Sequence, residues 1–459
     1  MRDEKIDVYY KGYKKPFFML STVNLRQKLF QISETVHLRI FGHEMGGEMR
    51  SFLGNLSWSF FGGIIASTLM MGVNIGIGRY FGPEEYGKYN IVLILSQFLL
   101  ILIYLGTDVS SVKFLSEKKD QLFRKSFFSS SFYFVLIMIF LSWISYFLFH
   151  SKIELYFGVD NQYLILGIFL GSALAIKGMV DGYLRSYFLF RFQAILRIIE
   201  AVIIILCLFL TLWLLDIREY QYYIYVLSGG AAVFSLLALF RLRKNFVAFR
   251  WASLKLMLSY GSVILAGAFL SIVFNSLDKI IVAKYLGVAQ LGVYSAYFVT
   301  ATSLVAQMTQ VFNNVFFPAI SQVENTAYVE KINTLIKWFF IPGGIFLSLV
   351  LYDIVLIFGD AYEPDIFLAM GFGFLAVFQI ILTVNGSIIT ALSKSLLKRY
   401  YFWLYGISFL HILSYGILIY FELTTIPFLL FLFFINFGGV ILIQKRIINT
   451  FIREKMVNS

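Results

Sequence analysis

A turn-forming stretch occurs twice in the chain: residues 79–89 read Arg-Tyr-Phe-Gly-Pro-Glu-Glu-Tyr-Gly-Lys-Tyr, and residues 284–294 read Lys-Tyr-Leu-Gly-Val-Ala-Gln-Leu-Gly-Val-Tyr. Both copies fit the pattern basic-Tyr-(Phe/Leu)-Gly-x-x-x-(Tyr/Leu)-Gly-x-Tyr, at a constant offset of 205 from position 79 to position 284. The two glycines of each copy permit a tight turn between helices. A weaker echo relates residues 180–182 to residues 384–386. The repeat predicts two equivalent halves that follow each other along the chain.

The segments around these turns are too apolar for a soluble protein. Over 459 residues the chain has 59% hydrophobic residues, 14% charged residues and a mean hydropathy of +0.79. A helix needs roughly 20 apolar residues to cross a bilayer. The apolar runs are long and continuous rather than short and alternating, which favours helices over the strands of a barrel. An all-α polytopic membrane protein is therefore expected.

The apolar windows predict about twelve transmembrane helices in two six-helix halves around a central cavity. The predicted spans are 53–77, 89–110, 126–149, 163–184, 194–215, 221–240, 256–282, 291–317, 338–358, 364–391, 400–421 and 425–444. The predicted organisation is a cytoplasmic tail at 1–52, an N-terminal half at 53–241, a cytoplasmic linker at 242–255, a C-terminal half at 256–446 and a cytoplasmic tail at 447–459. Halves of six spans insert the same way up, an arrangement found in secondary transporters.

The basic residues predict the orientation. With both termini in the cytoplasm, 31 of the 38 Lys and Arg residues lie on the inner side, five lie outside, and Lys177 and Lys279 lie within spans. This bias follows the positive-inside rule and predicts a multi-pass protein of the cell membrane. The net charge of +12 is then mostly a topology signal with some attraction to anionic membrane lipid, and nucleic acid is not an expected partner.

The first 52 residues contain no signal-peptide pattern. Within them Leu25, Leu29, Ile32, Val36 and Ile40 recur at helical spacing, which indicates either an interfacial helix or a solvated helix packed on an inner loop. The single cysteine, Cys207, lies in a predicted span, so no disulfide framework or metal site is expected, and no motif calls for a cofactor.

Charged residues within spans mark the candidate transport path, because an unpaired charge in lipid costs on the order of 2.5–3.5 kcal/mol. Lys177 and Asp181 share a helix face and can pair. Asp278 and Lys279 are adjacent and point about 100° apart, so they should not meet one partner. Asp181 and Asp278 are the candidate ion-coupling residues. The candidate cavity residues that would contact substrate are Arg79, Lys177, Lys279, Asn74, Asn275, Gln307 and Asn314.

Each of these residues also has a purely structural interpretation. Lys177 and Asp181 can form a salt bridge that closes the N-terminal bundle, and Asp278 can pair with Lys279 or Lys284. Arg79 and Lys284 occupy repeat-equivalent outer positions, where they can form a rim or reach to lipid headgroups. The amides at 307–314 can hold helices together. His411 is expected to be packed or interfacial.

Three features together resemble a known family: the 79–89 element after a first span rich in small residues (Gly62, Gly63, Ala66, Ser67), the stretch from Asp278 to Tyr294, and the basic, aromatic-rich connection after span four. They look like the polysaccharide flippases, which translocate O-antigen and exopolysaccharide repeat units. These proteins belong to the multidrug/oligosaccharidyl-lipid/polysaccharide exporter superfamily. The resemblance covers roughly 53–446. It implies alternating-access movement of a polyprenyl or dolichyl diphosphate-linked oligosaccharide to the outer leaflet, for cell-surface glycan synthesis. H+ or Na+ would be the coupling ion, and polysaccharide-assembly proteins are implied as candidate partners.

Two other functions remain open. A cation-coupled multidrug or toxic-compound antiporter should have a cavity dominated by carboxylates, whereas this chain offers comparable numbers of Lys and Asp within its spans. A membrane-embedded polymerase or glycosyltransferase should carry a large outer loop, and the longest predicted outer connection is only residues 150–162. Residues 82–88 imitate a phosphate-binding loop, but Tyr89 replaces the required Ser or Thr. A non-enzymatic transporter is therefore expected.

Overall fold

A computed structural model describes residues 47–117, 120–157, 160–322, 326–392 and 394–458 of the protein. The predicted interfacial helix of the N-terminal tail lies outside these residues, as does the side chain of Asn314. By their contacts, the described residues from Ser59 onward form one compact unit. Within the described ranges the chain is helical, with no strand.

Six helices make up the N-terminal half. They are α1 (Gly47–Tyr104), α2 (Thr107–Glu117), α3 (Gln121–Phe157), α4 (Asn161–Ser186), α5 (Phe190–Phe209) and α6 (Tyr220–Leu242). A π-helical turn, Leu210–Leu214, extends α5, and a 3-10 turn, Arg243–Asn245, follows α6.

The C-terminal half contains the remaining helices. They are α7 (Trp251–Ile281), α8 (Val288–Gln322), α9 (Thr326–Phe358), α10 (Ile366–Leu392), α11 (Lys394–Tyr420) and α12 (Ile426–Asn458). A π-helical turn, Val282–Leu286, extends α7, and a 3-10 turn, Asp360–Tyr362, follows α9.

The helices confirm the predicted all-α membrane fold. Among the described residues, ten helical segments are long and apolar enough to cross a bilayer. One of them, Gly62–Tyr104, has 43 residues and contains most of predicted spans one and two. Predicted span seven lies on α7, which is not among the ten. The count of twelve therefore stays a prediction, although each predicted span falls on a helix to within a few residues.

The two copies of the repeat have the same backbone conformation at their first glycine. Gly82 interrupts α1 with φ 77° and ψ 174°, and Gly287, at the equivalent position, separates α7 from α8 with φ 96° and ψ 166°. Both conformations lie at positive φ, which glycine adopts without the steric cost that a Cβ would bring. Pro83 follows Gly82 as the first residue of the next helical segment, where its missing N–H costs no hydrogen bond.

Three clusters of buried apolar side chains hold the unit together. The largest joins the two halves, from Tyr86 and Tyr223 on one side to Phe358 and Phe372 on the other. It lies toward the end of the bundle that the charge count assigns to the outside, here called the outer end. The other two clusters lie toward the inner end, one in each half. The halves therefore share a core at the outer end and have separate cores at the inner end.

Candidate functional site

Two ion pairs connect α4 to α5 in the N-terminal half. The Lys177 ammonium lies 2.6 Å from the Glu200 carboxylate. The Arg197 guanidinium donates to both oxygens of Asp181, at 3.2 and 2.8 Å. The Gln193 amide donates a further hydrogen bond of 2.8 Å to Asp181. The carboxylates are 8% and 13% exposed, whereas the Lys177 and Arg197 side chains are 27% and 34% exposed, so both pairs are partly buried.

The predicted pairing of Lys177 with Asp181 is therefore wrong. Four residues of separation do place Lys177 and Asp181 on one face of α4, but that face packs against α5. The neighbouring helix supplies Glu200 opposite Lys177 and Arg197 opposite Asp181. Lys177 and Arg197 each meet an opposite charge across the helix interface, and Asp181 also lies 3.8 Å from Arg185, four residues further along α4.

Asp278 of α7 is completely buried in the C-terminal half. The Tyr294 hydroxyl of α8 donates a hydrogen bond to Oδ2 of Asp278. Its Oδ1 atom has no hydrogen-bond partner among the described residues, and the salt bridges found there do not include Asp278. The structure therefore contradicts the alternative in which Asp278 forms an ion pair with Lys279 or Lys284.

Lys279 is also buried, with 8% of its surface exposed. Its ammonium donates to the backbone carbonyl of Asn275 one turn earlier and lies 3.6 Å from the ring centroid of Phe298. Asp278 and Lys279 therefore have different partners, as their angular separation predicts. Both aromatic partners lie on α8, one turn apart. Adjacent opposite charges on α7 thus contact two aromatic residues of the same neighbouring helix.

The charged pair on α7 has no counterpart in the N-terminal half. The repeat offset places Val73 and Asn74 of α1 at the equivalents of Asp278 and Lys279. Val73 is buried in the shared core, and the Asn74 amide donates to the Met70 carbonyl of its own helix. The repeat therefore conserves the turn but not the charge.

The repeat glycines form a direct contact between the halves at the outer end. A Cβ on Gly87 would lie 2.0 Å from the carbonyl oxygen of Val288, and a Cβ on Gly292 would lie 1.8 Å from that of Pro83. The two contacts are equivalent under the offset of 205. We call these four residues the outer seam. Only residues without a side chain allow the two backbones to approach so closely.

Two hydrogen bonds cross between the halves beside the outer seam. The Tyr362 hydroxyl donates to the Gly78 carbonyl at 2.7 Å, and the Arg79 guanidinium donates to the Ile357 carbonyl at 3.1 Å. Arg79 therefore binds the end of α9, whereas Lys284, its repeat equivalent, lies 5.7 Å from the Tyr285 ring and is exposed. The outer end is closed in this conformation.

At the inner end the start of α7 packs on the N-terminal half. The Ser253 and Ser126 hydroxyls are 2.8 Å apart, the Lys113 ammonium lies 4.0 Å from the Tyr260 ring centroid, and Gly261 contacts Gly106. The first turns of α7 thus belong to the inner core of the opposite half.

The predicted amides do not form one site. Asn74 lies on α1, whereas Asn275 lines a cavity within the C-terminal half. Gln307 is half-buried on α8 and is not among the residues that line this cavity. His411 is buried, as the packed interpretation predicts, and its ring stacks on Phe274 at 4.8 Å.

Sequence reasoning missed several partners of these residues. Glu200 and Gln193 carry no pattern of their own and gain their role only from the packing of α5 on α4. Tyr294 stands in the repeat motif, but the motif alone gives no sign that it binds Asp278. The weaker repeat at 384–386 could have identified one further candidate, Asn385. This residue is buried, and neither polar atom of its amide has a hydrogen-bond partner among the described residues.

Comparison with known sequences gives one family. The family model described as polysaccharide biosynthesis protein matches residues 77–366, a range that includes both copies of the repeat and all the charged residues described above. No curated protein is similar enough to the chain to count as a relative.

Solved structures show the same fold at low sequence identity. An inward-facing multidrug resistance MATE family transporter of the MOP superfamily has a TM-score of 0.67 and 11% identity, over 84% of this chain and 95% of that one. A MATE protein in complex with MaL6 has a TM-score of 0.59 and 13% identity, over 90% and 96%. A MOP superfamily transporter from Pyrococcus furiosus has a TM-score of 0.58 and 13% identity, over 88% and 95%. The chain has a MATE-like transporter fold.

Proposed function

The chain belongs to the family of polysaccharide biosynthesis proteins, and on this premise we propose that it flips a lipid diphosphate-linked oligosaccharide from the inner to the outer leaflet of the cell membrane. Both termini lie in the cytoplasm, and two six-helix halves alternate access to the substrate. The carrier is a polyprenyl or dolichyl diphosphate, and polysaccharide-assembly proteins supply or consume the substrate.

The observation that carries this proposal is the coincidence of the family match with a transporter fold. Polysaccharide synthesis in a membrane requires that a polar glycan cross hydrocarbon, and a protein that provides a polar path lowers that barrier. Buried charges within spans are costly, so Asp278 and Lys279 of α7 favour a polar path through the bundle.

Asp278 is a better candidate for ion coupling than Asp181. Asp181 already accepts two hydrogen bonds from Arg197 and one from Gln193, so a proton or Na+ would have to displace a strong pair. Asp278 has Tyr294 as a neutral donor and a free oxygen among the described residues. An H+ or Na+ bound at Asp278 would neutralise a buried charge, which favours binding. Lys279 would provide positive charge toward the diphosphate.

The test is deletion of the gene in its host, followed by labelling that distinguishes lipid-linked glycan in the inner leaflet from that in the outer leaflet. We expect the glycan to accumulate on the inner side. Normal outer-leaflet labelling without accumulation, in a strain with no second transporter of this fold, would contradict the proposal.

Site variants test the coupling residue. Asp278→Asn and Lys279→Ala should impair translocation in the deletion strain while the protein still reaches the membrane. Asp360→Asn and Lys284→Ala are matched controls, because both residues are exposed at the outer end. Wild-type transport by both test variants would exclude α7 as the coupling site.

A multidrug antiporter is the alternative, and the MATE-like fold is the observation that favours it. The two functions predict different phenotypes. An antiporter deletion should sensitise cells to cationic compounds and leave the lipid-linked glycan on its normal side. The sidedness assay therefore separates the two functions in one strain.

A further inference from the structure

The C-terminal half contains a cavity of about 520 Å³ between α7, α8, α10, α11 and α12. Its volume falls in the range of roughly 300–1,000 Å³ that is typical of small-molecule sites. The lining residues are all uncharged, and six of them are polar: Asn275, Thr302, Thr309, Gln379, Thr383 and Tyr400.

The polar side chains retain hydrogen-bonding capacity toward the cavity. The hydroxyls of Thr302, Thr309 and Thr383 donate to carbonyls of their own helices at 2.7–2.9 Å, so their oxygens remain acceptors. The Tyr400 oxygen receives a hydrogen bond of 3.2 Å from Gln444, which leaves its proton to donate. The Gln379 side chain is half-buried and can both donate and accept.

Two aromatic rings also line the cavity. Phe274 and Phe437 line the cavity with ring centroids 5.9 Å apart, and His411 stacks on Phe274 at 4.8 Å. Ring positions are thereby fixed. Flat apolar rings beside a few placed hydrogen-bonding groups are the usual composition of a site for an uncharged, polar small molecule.

These properties select among the parts of the proposed substrate. A diphosphate would lose its hydration without a cation in the lining to replace it. A polyprenyl tail could not use the acceptor oxygens of Thr302, Thr309 and Thr383 or the proton of Tyr400. Sugar rings carry hydroxyls that both donate and accept.

We propose that this cavity binds uncharged sugar units of the lipid-linked oligosaccharide. This inference rests on the proposed function and adds the glycan subsite to it.

Photocrosslinking tests which part of the substrate occupies the cavity. Benzoylphenylalanine replaces Leu404, a lining residue of α11, in the deletion strain. Cells are labelled metabolically with tritiated sugars or with a tritiated isoprenoid precursor, irradiated, and treated with mild acid, which cleaves the bond between glycan and diphosphate. Sugar label that stays on the protein after acid supports the proposal. The same replacement at Phe402, exposed on α11, is the control and should retain no sugar label.

The other outcomes overturn the inference. Isoprenoid label that survives acid would make the cavity a lipid-tail site. Absence of both labels, in a strain whose sidedness assay shows normal flipping, would remove the cavity from the path while leaving the proposed function intact. If the sidedness assay shows no flipping by the wild-type protein, the proposed function itself is contradicted, independently of the cavity assignment.

Variants give a second readout. Thr383→Val and Gln379→Leu preserve size and remove hydrogen-bonding groups, so each should slow translocation about two- to tenfold at limiting substrate. Gln162→Leu is the control for an amide outside the cavity, because Gln162 is exposed at the start of α4 and does not line the cavity. Wild-type rates for both cavity variants would contradict the assignment.

Discussion

Charged residues inside the bundle are arranged differently in the two halves. In the N-terminal half, Lys177 and Arg197 each meet a carboxylate of the neighbouring helix within 3 Å. In the C-terminal half, Asp278 and Lys279 are buried with hydrogen-bond and aromatic partners but no salt bridge among the described residues. Paired charges hold helices in register, whereas buried charges without a pair are usually retained for function. We therefore expect substitutions in α4 and α5 to affect mainly stability, and substitutions in α7 to affect mainly transport.

Glu200→Gln should destabilise the protein. It leaves the Lys177 ammonium without its carboxylate partner in a site where Glu200 is only 8% exposed. Removing one member of a fully buried pair typically costs about 3–5 kcal/mol. Because the Lys177 side chain is 27% exposed, we expect a smaller loss of about 1–3 kcal/mol. Thermal unfolding of the purified protein in detergent should show a lowered transition temperature.

The double variant Lys177→Met with Glu200→Leu tests the cause of that loss. It replaces both charges by apolar groups of similar size, which is often neutral. We expect it to recover most of the stability that Glu200→Gln loses. If it is as unstable as the single variant, packing around Glu200 rather than the orphaned charge is responsible.

At the scale of elements, the outer seam joins two helical turns that the sequence repeats. The close approach of Gly87 to Val288 and of Gly292 to Pro83 has no room for a Cβ. Gly87→Ala and Gly292→Ala should therefore force the seam apart. Overpacking of this kind costs about 1–3 kcal/mol, and only the closed state bears that cost. The equilibrium should move about 5- to 150-fold toward states with an open outer end.

Distance measurements between spin labels check this shift. Cysteines at Glu84 and Gln290, both exposed beside the outer seam, carry the labels in a Cys207→Ser background. Gly76→Ala is the control, because a Cβ there would meet nothing within 4 Å. We expect the distance between the two labels to increase in both seam variants and to stay unchanged in the control. Unchanged distances in Gly87→Ala and Gly292→Ala would show that the seam does not limit opening.

The elements also show what sequence can and cannot predict. The spans and the turn at Gly82 and Gly287 could be predicted, because apolar run length and glycine conformation are local properties. The partners of Lys177 could not, since they depend on how α5 is rotated against α4. The cavity in the C-terminal half was missed apart from Asn275. Thr383 and Gln379 carry no charge or motif, and they act together only after five helices pack around a common space.

On the scale of the whole molecule, the distribution of buried cores is consistent with one state of the proposed transport cycle. A core shared by both halves at the outer end, with separate cores at the inner end, joins the halves outside and leaves them less connected inside. The exception is the start of α7, which packs on α2 and α3. Alternating access requires that the shared core separate when the outer end opens, and that the outer seam separate with it.

A chemical link across the outer seam should therefore stop transport without stopping substrate entry. Cysteines at Glu84 and Gln290, joined by a bismaleimide in a Cys207→Ser background, tie the two halves at the outer end. We expect membranes with this link to load lipid-linked glycan from the inner side and to deliver none to the outer leaflet. The same reagent on cysteines at Glu84 and Asp216, both in the N-terminal half, is the control and should leave delivery unchanged, since that link does not cross the seam. Delivery at the normal rate through the protein linked across its seam would mean that the glycan crosses without separation of the outer ends, and alternating access between the two halves would have to be abandoned.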